Sequence, residues 1–75
     1  MDYNTLSEKL KADKIVYIFD DFEEAAVRLV PTNGETKAYI KHLGRTETEI
    51  SQSSEAVFNI VLSGNEITKS EYDGY

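Results

Sequence analysis

The chain has 75 residues, no cysteine, a single histidine, and a net charge of −6 from 14 acidic and 8 basic side chains. That length makes one domain, 1–75, and the lack of cysteine excludes a disulfide framework and a thiolate zinc centre. The acidic balance repels phosphate backbones and anionic lipids, so direct nucleic-acid or membrane binding is disfavoured and a partner with a basic surface is the natural complement.

A chain this small buries only about 60% of its unfolded surface. The fold must then rest on its own apolar core, or on a second copy that completes the core as a homodimer.

Thr5-Leu6-Ser7-Glu8 has the capping-box pattern, and Leu6 and Leu10 sit one turn apart, which predicts a short amphipathic helix from Thr5 to about Ala12. Lys14 to Phe19 is β-branched and aromatic throughout and predicts a buried strand that Asp20 and Asp21 end. Residues 21–31 admit two readings. A helix capped at Asp21 would be stopped by Pro31. A strand over about 25–31 would pair through Asn33-Gly34 with a second strand over about 36–43. The hairpin explains both flanks and is the reading taken.

Thr46, Thr48 and Ile50 alternate with Arg45, Glu47 and Glu49, as in a half-exposed edge strand. Ser53 to Ser63 carries N-cap serines, a wide apolar arc and Gly64 behind it, and predicts the principal helix. Asn65 to Ile67 is a brief strand candidate, and Thr68-Lys69-Ser70-Glu71 is a second capping box opening a terminal turn. Together these give an α+β two-layer sandwich: a three- to four-stranded, mainly antiparallel sheet with the principal helix on one face and a short N-terminal helix.

No constellation supports catalysis. His42 lacks a nucleophile motif to serve, and the isolated glycines form no phosphate loop. His42 is read as structural or as a surface residue, on the same strand face as Ala38 and Ile40. No EF-hand pattern accompanies the acidic run Asp20-Asp21-Phe22-Glu23-Glu24, so no metal and no cofactor is expected. A core of this size also leaves little room for a typical ligand pocket of roughly 300–1,000 Å³.

The candidate interaction residues are acidic: Asp20, Asp21, Glu23, Glu24, Glu47 and Glu49. Glu47 and Glu49 point the same way along a strand, about 6.6–6.8 Å apart, a spacing comparable to that of neighbouring phosphates. Phe22, Tyr72 and Tyr75 are the candidate aromatic anchors; Phe22 either tucks back into the core, which is the reading taken, or stands as an aromatic anchor in an acidic rim.

The functional expectation is a non-enzymatic protein-interaction module, an inhibitor or accessory factor of phage or other mobile-element type. It would act in the cytoplasm, because no basic segment followed by an apolar stretch opens the sequence. A sharper form of this reading is nucleic-acid mimicry against a basic partner. The alternatives are a homo-oligomeric structural or assembly subunit, and a small metal- or ligand-responsive domain.

Overall fold

The computed structural model describes all residues, 1–75. The chain order is α1 (Tyr3–Lys11), β1 (Val16–Asp20), β2 (Ala25–Thr32), β3 (Glu35–His42), β4 (Thr48–Ile50), α2 (Glu55–Ser63), β5 (Asn65–Ile67) and α3 (Lys69–Asp73). The sheet has five strands in the order β4-β3-β2-β1-β5, and every neighbouring pair is antiparallel. The expected α+β class holds. The strand count exceeds the expected range because Asn65–Ile67 pairs with β1 across Tyr17–Phe19.

The β2–β3 hairpin forms as its turn residues dictate. Thr32 pairs with Glu35, leaving Asn33 and Gly34 as a two-residue loop. Both have positive φ, 47° and 81°, as a type I′ turn requires. The turn fixes the register that places Arg28 opposite Tyr39 and Leu29 opposite Ala38.

Alternation then sorts the side chains. Val16, Ile18, Val27, Leu29, Ala38 and Ile40 face one side, where Val57, Ile60 and Val61 of α2 and Leu6 of α1 complete one core cluster. Gly64 lets the end of α2 press onto the sheet. A Cβ there would lie 2.5 Å from the Ile60 carbonyl oxygen and 2.7 Å from both the Phe19 carbonyl oxygen and Ile18 Cγ2. Its role is close approach and not a left-handed cap, since it does not take positive φ.

Two local expectations change. The cap of α1 is Asp2, whose carboxylate accepts from Asn4 N, so Thr5 lies inside the helix and donates to Asp2 instead of capping. The helix closes with Asp13 at φ 60°, where Asp13 N and Lys14 N donate to the carbonyls of Leu10 and Lys9, a Schellman-type ending. At the other end of the chain, Thr68 and Glu71 do form the expected capping box.

The third helix leaves the two-layer scheme. Tyr17 lies on the sheet face away from α1 and α2, and Tyr72 of α3 stacks against it with ring centroids 5.2 Å apart. Tyr72 is buried although it lies outside the main core cluster.

Candidate functional site

The face of the sheet under α3 carries Tyr17, Arg28, Tyr39 and Lys41, aligned by register across three strands. Arg28 Nε donates to Glu47 Oε2 at 3.1 Å while its Nη2 donates to Oε1, a bidentate pair. The Tyr72 hydroxyl donates to Glu47 Oε2 at 2.8 Å. The guanidinium also lies 4.2 Å from the centroid of the Tyr39 ring. Lys41 Nζ donates to the carbonyls of Tyr72 and Asp73, placing a cation at the end of α3.

These contacts set the charges. The hydrogen bonds from Arg28 hold the Glu47 carboxyl below its usual range, with the Tyr72 hydroxyl helping. Burial, then the bond to Glu47, raises the Tyr72 phenol well above its usual value. This network is a clamp, and it accounts for two of the sequence candidates. Glu47 is engaged by Arg28 and Tyr72 and is not free to pair with Glu49 as a phosphate-like array. Tyr72 is a buried anchor of the protein's own helix.

A second group of candidates meets at one end of the sheet, where β1 turns into β2 and β3 turns toward β4. Asp20 continues the inward alternation of Val16 and Ile18, so its side chain is buried and not displayed. Its Oδ1 accepts from Phe22 N and shapes the turn, while Oδ2 has no hydrogen-bond partner.

Beyond it, Asp21, Glu23 and Glu24 are exposed, and Phe22 stands 90% exposed between them. The expectation that Phe22 tucks into the core is overturned. Inward alternation ends at Asp20, and the tight turn, closed by Glu24 N donating to the Asp21 carbonyl, lifts the ring into solvent.

Glu24 adopts φ 51°, a left-handed conformation that costs a non-glycine residue about 1–2 kcal/mol. Tyr75 closes this end from the side. Its ring meets Phe19 edge-on at 5.1 Å, and its carbonyl accepts from Gly44 N in the β3–β4 turn. Burial, then Glu24 and Asp21, raises its phenol pKa.

The chain shares its fold with a chain of the crystal structure of the complex between the Type VI effector Tas1 and its immunity protein. The similarity has a TM-score of 0.70, covers 79% of this chain and 78% of that one, and comes with 24% sequence identity. No protein-family model and no curated protein matches this sequence.

The remaining candidates lie elsewhere. Glu49 is exposed on the edge strand opposite Tyr39, two strands from β2 and its acidic turn. His42, on the strand face assigned to it, is exposed at the end of β3. Sequence reasoning missed Leu43, which is 66% exposed in the β3–β4 turn at the same end as Phe22. Its signal was available: the hairpin register pairs His42 with Ala25, so the next residue must leave the sheet beside the acidic turn.

It also missed a groove of about 860 Å³ between α1, α2 and the β2–β3 hairpin, contrary to the expectation that so small a core leaves little room for a pocket. No helix is long and apolar enough to cross a membrane.

Proposed function

We propose that this protein is a non-enzymatic inhibitor of immunity type, which neutralises a protein partner by presenting the Phe22 turn to a basic surface. The observation that carries the reading is the geometry of that turn. A phenylalanine 90% exposed and flanked by Asp21, Glu23 and Glu24 is an apolar anchor inside an acidic rim. Aromatic anchors supply much of the affinity at interfaces, and rim charges supply steering and partner choice.

Two further features support it. The left-handed Glu24 keeps a carboxylate where glycine would be less strained, and strained turns cluster at binding sites. The shared fold comes from an effector–immunity complex, and the two covered shares, 79% and 78%, make the matched chain almost the same length as this one. A chain so short suits the neutralising member of such a pair better than the effector.

Phe22 docks in an apolar recess of the partner, and the carboxylates around it meet Lys or Arg at the recess edge. Leu43, at the same end of the sheet, extends the apolar contact.

Affinity capture from the cells of origin tests this, with wild type and a Phe22→Ala, Glu23→Lys variant as baits at low and high salt. The expected result is one basic-surfaced protein, retained by wild type at low salt, lost with the variant, and inactivated by the purified chain. Equal capture by the variant, or a captured partner whose activity is unchanged on binding, would overturn the proposal.

A further inference from the structure

The groove between α1 and α2 lies on the opposite face of the sheet from α3. It also opens toward the far end of β2 from the acidic turn, because Pro31, Gly34 and Glu35 line it. Leu29 and Pro31 form its floor. Tyr3 and Leu10 of α1 and Phe58 and Leu62 of α2 form its walls. Three of these wall residues are largely exposed: Tyr3 at 68%, Phe58 at 59% and Leu62 at 55%. The helices therefore leave an apolar trough open where a helical layer on a sheet would ordinarily be closed.

The charges around the trough identify its occupant. Asp13, Glu35 and Glu55 line it against the single cation Lys11, and none of the four takes part in an ion pair. The protein's three ion pairs, Lys9 with Glu66, Arg28 with Glu47 and Lys69 with Asp73, all lie outside the trough, so no cation offsets its carboxylates except Lys11. Free carboxylates around an apolar floor repel a second copy of a chain whose net charge is −6, and repel anionic lipids equally. They attract an apolar surface edged with Lys or Arg.

The shape selects the secondary structure. Two nine-residue helices flank the trough, each about 13–14 Å long, and a third helix laid between them would complete the layer. We infer that this groove is a docking site for an amphipathic helix of a partner protein, with its apolar face on Leu29 and Pro31 and basic residues toward Asp13, Glu35 and Glu55. Helix-in-groove recognition uses apolar anchors at i, i+3 or i+4 and i+7, a span of about 10–11 Å that is shorter than either flanking helix. This surface is separate from the Phe22 turn and does not depend on it.

Two fluorescent amphipathic peptides of about 18 residues, one Leu/Lys and one Leu/Glu, serve as probes, since shorter helices are marginal in water. Anisotropy titrations against the whole protein should give saturable one-to-one binding of the Leu/Lys peptide. Its affinity should be at least about tenfold that of the Leu/Glu peptide, and lost by about tenfold or more in Phe58→Lys, Leu62→Lys. A second variant, Glu35→Lys, Glu55→Lys, alters only exposed residues and should weaken the Leu/Lys peptide while strengthening the Leu/Glu peptide.

Amide shifts should fall on α1, α2 and residues 31–36 and leave residues 21–24 unmoved. Non-saturable binding, equal affinity for both peptides, undiminished affinity in the variants, or shifts centred on the acidic turn would overturn the inference. So would a dimer of the protein alone, seen by sedimentation, that Phe58→Lys, Leu62→Lys dissociates.

Discussion

Glu47→Gln keeps the shape of the side chain and removes its charge, which isolates the electrostatic part of the clamp under α3. Wild-type Glu47 accepts two hydrogen bonds from Arg28 and one from Tyr72, with both members of the ion pair roughly three-quarters hidden from solvent. The amide can accept at one oxygen only, and its NH2 group meets a donor where an acceptor stood. Hydrogen bonds to a charged group contribute about 1.5–3 kcal/mol each, and leaving a buried donor unpaired costs a similar amount. Partial solvent access keeps the expected loss near about 2 kcal/mol.

A 75-residue domain has roughly 4–11 kcal/mol of stability in total, so this is a large share. In urea the midpoint should fall by about 1–2 M, with the slope unchanged. Coupling to Tyr72→Phe in a double-mutant cycle should be about 1 kcal/mol.

Glu49→Gln, two residues further on in β4 and without an ion-pair partner, should stay within about 0.5 kcal/mol of wild type. Acid titration adds a second readout. The Glu47 pKa is lowered by folding, so its contribution is complete above the unfolded value of about 4.3 and disappears as pH falls through the lower folded value. Glu47→Gln should therefore flatten the acid limb of the stability curve. A Glu47→Gln midpoint no lower than that of Glu49→Gln would refute the clamp.

Gly64→Ala should destabilise by about 1–3 kcal/mol or more, because the new methyl meets two backbone oxygens that cannot rotate away; a thermal melt followed by circular dichroism reads it. Glu24→Gly should raise stability by about 0.5–1 kcal/mol by relieving the left-handed carboxylate residue, while weakening partner capture through the lost charge. An unchanged melting temperature together with unchanged capture would argue against both roles of Glu24.

Much of the fold was legible because a few residues decide it. Asn33-Gly34 can make only a tight turn, and a two-residue loop fixes the whole β2–β3 register, including Arg28 opposite Tyr39. Ser54 caps α2, whose apolar arc buries Val57, Ile60 and Val61. Asn65–Ile67 was legible only as a brief strand candidate, without its place beside β1, and the far-face position of α3 was not legible. Three residues show no reliable period, and a capping box at Thr68 says where a helix starts but not which face it covers.

The site was read less well. A run of adjacent acids does not reveal which one continues the strand, so buried Asp20 and exposed Asp21 looked alike. Glu47 looked like a free surface charge because its partner lies 19 residues away in sequence, on the second strand over. The choice between a buried Phe22 and an anchor in an acidic rim fell to its hydrophobicity, whereas the turn geometry decides its exposure.

The placement of β1 has a consequence for the behaviour of the protein in the cell. The strand Val-Tyr-Ile-Phe-Asp is rich in β-branched and aromatic residues, and its outer edge is covered only by three-residue β5. Whatever loosens the terminal segment Asn65–Tyr75 bares that edge to other chains. The side chains that tie the terminal segment down, Arg28, Lys41 and Glu47 together with the strand's own Tyr17 and Phe19, therefore also suppress aggregation. Variants that weaken them should precipitate on standing before they lose most of their secondary structure.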